Sequence, residues 1–313
     1  MLSCTNSAAS IVTGPNGAEP VLNKRDYPNG TLRLGLPKGH MESGVLRLLG
    51  DAGISVTPTA RGYRPTVSLE RAEAKLLKPQ NIVEMLALGS RDVGFAGADW
   101  VEEMNVDLVE LLDTELDRVK VVAAAPKLLL DHGKLPKRRL VVASEYERLT
   151  GGWIQQRKLD AEFVRSYGAT EVFPPEDSDI IVDNTATGNT LKANGLVVID
   201  TLFESSTRLY ASPQAMELAG KRERIEGLVL LLESVLEARR RVMVEVNAPA
   251  DKLEAVVALL PCMREATVSP LFGNSGYAVK AAVPKEQLPT VIPAIKAAGG
   301  SDVVVTTLAQ IVP

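Results

Sequence analysis

From Thr31 onward, short apolar runs alternate with stretches of helical period, and that alternation restricts the chain to few folds. Leu32-Arg-Leu-Gly-Leu36 alternates as a strand, and Pro37-Lys38-Gly39 breaks it. A helix is expected over 41–50, where Val45, Leu46, Leu48 and Leu49 are apolar, with Gly53 closing it in a left-handed turn. Ile54-Ser-Val-Thr57 reads as the next strand. Strand–helix–strand is the unit of a parallel sheet, so the fold class is α/β with mostly parallel strands.

The same alternation continues. Asn81 starts a helix with Glu84 at capping-box spacing, and Gly89 ends it. Asp92-Val-Gly-Phe-Ala-Gly97 is a short buried strand running into a glycine turn. Further strands are expected over 108–112, 119–125, 140–143, 180–183, 196–199 and 207–211. A helix is expected over 214–240, with Ile225, Leu228, Leu232, Val235 and Leu236 at helical spacing. Residues 62–78 read as charged and irregular. The last stretch has its own order: strand 242–246, helix 251–260, strand 267–268, strand 277–283, helix 286–298, strand 303–306. That β-α-β-β-α-β sequence is the signature of a small ferredoxin-like domain.

Composition excludes several classes. With 35 Lys and Arg against 39 Asp and Glu, the net charge is −4, so nothing draws the chain broadly to nucleic acid. No apolar run approaches the ~20 residues of a membrane span. Two cysteines and two histidines support neither a disulfide framework nor a Cys-rich metal site, and point to a reduced, cytoplasmic compartment. Residues 1–30 lack the pattern of a secretory signal and read as a disordered tail.

Three segments can carry chemistry. The first is Asp183-Asn-Thr-Ala-Thr-Gly-Asn-Thr-Leu191, a polar loop between an apolar strand and a helical turn. Backbone N–H groups around Gly188 and the hydroxyls of Thr185, Thr187 and Thr190 form a candidate phosphate cradle, with Asn189 inside it. Asp183 can accept from ribose hydroxyls. A capped strand–helix turn would use the same residue types. The second is Pro37-Lys38-Gly39-His40 at the carboxyl end of the first strand, where α/β sheets bind ligands. Lys38 is placed to meet phosphate charge, and Gly39 admits a close ligand. The third is Gly94-Phe-Ala-Gly97 with Asp99 and Trp100 just beyond; Asp99 is either a helix cap or a cleft residue. Arg61, Arg64 and Arg71 can clamp a polyphosphate or remain solvated surface charge.

Taken in order, Leu34-Gly-Leu-Pro-Lys-Gly39, Gly94–Trp100, Val121–Pro126, Ala143–Tyr146, Ile181–Asp183 with Thr187–Gly195, and Thr267–Leu271 resemble the long form of ATP phosphoribosyltransferase, the first enzyme of histidine biosynthesis. The resemblance spans 31–313 and implies two catalytic lobes like those of periplasmic binding proteins. Lobe I would be 31–118 with 205–240, lobe II 119–204, and a histidine-binding regulatory domain 241–313. It implies ATP and 5-phosphoribosyl-1-pyrophosphate as substrates, feedback inhibition by histidine, and dimers that form hexamers in the cytoplasm. Lys38 and Asp183 become the catalytic residues. Asp183, Thr185, Thr187, Gly188, Asn189 and Thr190 bind phosphoribosyl pyrophosphate. Gly39, Arg61, Gly97 and Asp99 face nucleotide or pyrophosphate, and Thr267, Ser269 and Leu271 face histidine. Magnesium would travel with the pyrophosphate rather than on protein ligands. His40 stands where the family usually carries arginine, and Tyr63–Lys78 departs from the family pattern. Two other classes stay open at this point: a non-catalytic two-lobed binding protein, and a regulatory subunit with an idle cleft.

Overall fold

The computed structural model describes residues 30–59 and 62–312. The expected tail, through residue 29, and Arg61 lie outside the described residues. The chain runs β1 (Leu32–Pro37), α1 (Glu42–Asp51), β2 (Val56–Thr57), β3 (Thr66–Val67), β4 (Ala72–Leu77), α2 (Pro79–Ala87), β5 (Val93–Gly97) and α3 (Ala98–Met104). It continues with β6 (Val109–Pro126), β7 (Leu140–Ser144), α4 (Glu147–Arg157), β8 (Ala161–Arg165), β9 (Ile180–Thr185), α5 (Asn189–Ala193) and β10 (Leu196–Ala211). Then follow α6 (Pro213–Glu217), α7 (Ala219–Arg240), β11 (Arg241–Ala248), α8 (Leu253–Ala258), β12 (Thr267–Pro270), β13 (Tyr277–Pro284), α9 (Leu288–Ala297) and β14 (Ser301–Thr307).

One eight-stranded sheet, in the order β4-β1-β5-β10-β6-β9-β7-β8, is built from strands between Leu32 and Ala211. β4, β1 and β5 are parallel at one end, and β9, β7 and β8 are parallel at the other. The two long strands between them, β6 and β10, run antiparallel to each other and to their outer neighbours β9 and β5. The mostly parallel sheet expected from sequence is therefore two parallel edges joined by an antiparallel centre.

The apolar residues sort into separate cores. Leu32, Leu34 and Leu36 of β1 pack with Val45, Leu48 and Leu49 of α1 and with Ile225, Leu228, Leu232 and Val235 of α7. Val121, Ala123, Val142, Trp153, Ile180 and Val182 pack at the far end. Gly94 shows how closely β1, β5 and α2 approach: a Cβ there would lie 2.7 Å from Ile82 Cγ2 and 3.0 Å from the Gly35 carbonyl oxygen.

Several elements differ from expectation for identifiable reasons. Residues 72–77 form β4, paired in parallel register with all of β1. Its Ala, Glu, Lys and Leu are ordinary helix formers, and tertiary pairing overrides that preference. The strands expected at 108–112 and 119–125 are both parts of β6, and those at 196–199 and 207–211 are both parts of β10. Register shifts interrupt the pairing of β6 with β10 and hide its period. The expected long helix is interrupted at Leu218 between α6 and α7, where Ser212 Oγ caps α6 by accepting from the Ala215 N–H. α2 begins at Pro79 rather than Asn81; Asn81 Nδ2 instead donates to Glu84.

The carboxyl-terminal unit has its own four-stranded antiparallel sheet, ordered β12-β13-β11-β14, and its own core of Val242, Val244, Val246, Val279, Val283 and Ile295. With α8 and α9 as the two crossovers, this is the ferredoxin-like order. Among the described residues, no helix is long and apolar enough to cross a membrane.

Candidate active site

The carboxyl ends of β1 and β5, the amino end of α3, the end of β9 and the middle of β6 and β10 converge on one cleft of about 200 Å³. Lys38, His40, Gly97, Asp99 and Trp100 line it from the β4-β1-β5 end of the sheet, and Asn184 lines it from the β9-β7-β8 end. Lys38 leaves β1 with its N–H held by the Leu77 carbonyl. Its ammonium lies 3.2 Å from the Tyr63 hydroxyl and 4.7 Å from that ring's centroid. Gly39 follows with φ +91°, a left-handed turn with open space where a Cβ would point.

Asp99 is not the cap of α3. The helix starts at Ala98, and the Asp99 side chain turns inward to 4% exposure. Its Oδ1 accepts from Ser205 Oγ (2.8 Å), and its Oδ2 accepts from the Tyr146 hydroxyl (2.6 Å). Tyr146 in turn accepts from Asn184 Nδ2 (2.8 Å) and stacks on Trp100 with centroids 4.8 Å apart. Burial, then the Asp99 charge, pushes the Tyr146 phenol well above its ordinary value, so it stays a hydroxyl and keeps donating. This buried chain joins α3, β10 and the ends of β7 and β9. Tyr146 lay within a motif quoted from the sequence, but nothing local to it announced this bridging role.

The loop after β9 has a split personality. Strand alternation sends Ile180 and Val182 into the core with Tyr146, and Ile181 into a second core with Leu191 and Leu196 on the opposite face. Asn184 therefore faces the Tyr146 side, and Asp183 faces α5. Asp183 Oδ1 accepts from the Asn184 N–H at 2.7 Å. Burial, reinforced by the charges of Glu171 and Glu145, raises its carboxyl from 3.8 to about 6. Gly188, at φ +74°, begins α5. Its N–H is taken by Thr185 Oγ1 (2.9 Å), and the Asn189 N–H reaches Thr187 Oγ1 (3.4 Å). The loop in this state is thus a self-satisfied turn, with Thr187, Asn189 and Thr190 exposed to solvent.

The other candidates are dispersed. Arg71 sits beside the amino end of β1, where its carbonyl accepts from the Leu32 N–H; this is the end opposite Lys38. It does not belong to the cleft. Arg64 is an exposed residue between β2 and β4. Thr267, Ser269 and Leu271 lie on and just after β12, the exposed edge strand of the terminal sheet. Among the described residues, no three His, Cys, Asp or Glu side chains converge as a metal site.

The family model described as "HisG: ATP phosphoribosyltransferase" matches residues 78–234, and "HisG, C-terminal domain" matches 238–310. The chain belongs to the ATP phosphoribosyltransferase family. A relative from Pelotomaculum thermopropionicum, named ATP phosphoribosyltransferase, is 35% identical over 289 residues, covering 90% of this chain and 99% of that protein. Another of the same name, from Chlorobium phaeovibrioides, is 34% identical over 88% of this chain and 95% of its own length. The solved ATP phosphoribosyltransferase (HisG:HisZ) complex from Thermotoga maritima contains a chain that superposes with a TM-score of 0.59 at 25% identity. That match covers 98% of its chain and 66% of this one. The terminal family match is what accounts for the long-form character read from the sequence.

Proposed function

We propose that this chain transfers the 5-phosphoribosyl group of phosphoribosyl pyrophosphate to N1 of ATP, releasing pyrophosphate, as the first step of histidine biosynthesis. The observation that carries this is the cleft: in a chain of this family, Lys38 from the end of β1 and Asn184 from the end of β9 line the same space, and Asp183 precedes Asn184 on the same strand. The reaction forms a bond between adenine N1 and the anomeric carbon while the bond to pyrophosphate oxygen breaks, with its electron pair leaving on pyrophosphate. Little acid–base work is required. Alignment of the two reactants and charge stabilisation dominate.

In this reading Lys38 meets the negative charge growing on pyrophosphate. Asp183, largely ionised above its pKa of about 6, orients ribose hydroxyls and favours the cation-like ring. Thr185, Thr187, Gly188, Asn189 and Thr190 hold the 5-phosphate, which requires the phosphate to displace the two internal threonine contacts of the turn. Gly39, Gly97 and Asp99 border the nucleotide or pyrophosphate. Magnesium would neutralise pyrophosphate, a role suited to an ion that keeps water and phosphate oxygens as ligands. Lobe I, lobe II and the terminal domain keep the boundaries given from the sequence, and assembly into dimers and hexamers in the cytoplasm belongs to the same reading.

Regulation is assigned to the terminal unit, with histidine near Thr267, Ser269 and Leu271. One assay tests the whole reading: product absorbance from ATP and phosphoribosyl pyrophosphate, by the chain alone, with and without histidine. Product formation inhibited by histidine is expected. No product under any condition would leave a binding protein or an idle-cleft subunit.

A further inference from the structure

β6 has an irregular backbone where it passes the cleft. Between Asp113 and Val119, β6 advances six residues while β10 advances three, from Arg208 back to Ser205. The excess is thrown into a bulge in which Glu115 and Asp117 both adopt left-handed φ, +59° and +49°. Neither is glycine, so each position is held against a preference of roughly 1 kcal/mol.

What holds the bulge is a set of specific contacts. Asp113 Oδ1 accepts from the Glu115 N–H (2.8 Å) and from Ser206 Oγ (2.7 Å). Buried Thr114 donates to the Thr207 carbonyl, and Thr207 Oγ1 donates to Asp117 Oδ2 (2.8 Å). The other Asp117 oxygen lies 3.5 Å from His40 Nε2, on the turn that carries Lys38. Asp117, His40 and Lys38 all line the cleft. On the outer side, Glu115 Oε1 is paired with Arg118 (3.1 Å) and with Arg240 (2.9 Å). Arg240 is the last residue of α7, and β11 of the terminal sheet starts at the next residue. The adjoining Arg239 carbonyl accepts from Lys285 Nζ of the terminal unit at 2.7 Å.

We propose that this bulge is a positioning element of the cleft: Asp117 sets the Lys38–His40 turn through His40, and Glu115, gripped by Arg240, fixes the bulge to the root of the terminal domain. The inference rests on the reading that Lys38 serves phosphoribosyl transfer. Its contacts are two-sided and short in sequence, so a change at the α7–β11 junction has a covalent and ionic route to the cleft that does not pass through either core. Neither Glu115 nor Arg240 lines the cleft, and both side chains are exposed, so substituting them leaves the lining residues in place.

The test uses the full chain with Glu115→Gln, Arg240→Ala and the double variant. An exposed ion pair contributes little to stability, so melting temperatures should stay within about 2 °C of wild type. Each single variant is expected to raise KM for phosphoribosyl pyrophosphate at least threefold with kcat within twofold. The effects of the two changes should fall short of multiplying in the double variant, because both remove the Glu115–Arg240 link, although Glu115→Gln also loosens Arg118 and Arg240→Ala also frees Glu237. Amide exchange over 36–46, reached from the bulge through the Asp117–His40 contact, should accelerate in all three. Wild-type KM with unchanged exchange over 36–46 would overturn the inference, as would independent, multiplying effects in the double variant. If wild type forms no product, the transfer reading fails by itself; the exchange arm still decides whether the bulge positions the turn.

Discussion

Asp183→Asn should make the free protein more stable at neutral pH while lowering its turnover. Burial and two neighbouring glutamates raise the Asp183 carboxyl from 3.8 to about 6. In the unfolded chain the carboxyl ionises near 3.8; in the fold it holds its proton until about 6. Between those values the folded state binds more protons than the unfolded state, so stability falls as pH rises through this window. Above it the loss is complete. At 1.36 kcal/mol per pH unit the interval corresponds to about 3 kcal/mol, and the partly exposed carboxylate makes about 2–3 kcal/mol the reasonable expectation. Asparagine is neutral at every pH and its amide oxygen can still accept from the Asn184 N–H. Denaturant unfolding of both proteins at pH 4 and pH 8 should therefore show near-equal stability at the lower pH and an advantage for the variant at the higher one. Equal stability at both, or the same difference at both, would refute the account of a strained ionised carboxylate. The functional arm is separate: loss of the charge beside the ribose should lower kcat, and wild-type turnover would remove Asp183 from the mechanism.

Lys38→Ala should cut kcat by about 10²-fold or more, as expected for removal of a charge-stabilising donor, with unchanged circular dichroism; a kcat near wild type in steady-state assays would rule out its leaving-group role. Tyr146→Phe should destabilise the protein by about 1–3 kcal/mol, because Asp99 loses a donor and Asn184 an acceptor in a buried chain; urea unfolding measures it, and a neutral result would mean that water replaces the hydroxyl. Deleting 242–313 should abolish inhibition by histidine. Inhibition of the truncated protein at wild-type concentrations would move the effector site elsewhere.

The elements with strong local signals were readable without coordinates. β1, α1, β5 and β9 announce themselves by period and by the turns that stop them, and the terminal β-α-β-β-α-β order emerges from spacing alone. β4 was not readable, because its residues prefer helix and only pairing along β1 makes it a strand. Helix α4 carries Gly151 and Gly152 and a weak apolar stripe, so its formation depends on Trp153 being buried in the core with Val142 of β7 and Ile180 and Val182 of β9. Within the site, residue types and chain position flagged Lys38 and Asp183. The partnership of Asp99, Tyr146, Asn184 and Ser205 joins residues as far as 106 apart in sequence, and nothing local encodes it. The opposite facing of Asp183 and Asn184 follows from strand alternation, but only once β9 is known to extend to Thr185.

The pairing of β10 with β5 has a bearing on how the polypeptide comes off the ribosome. Leu32–Pro37, Ala72–Leu77 and Val93–Gly97 make β1, β4 and β5, yet β5 has no second neighbour until Thr207–Ala211 emerges, and the apolar floor under β1 waits for Ile225–Val235 of α7. Everything from β6 to β9 is synthesised in between. The far half of the sheet can therefore mature first, while the near half remains an open edge, and a nascent chain stalled before residue 235 would expose the very surface most prone to sticking to others.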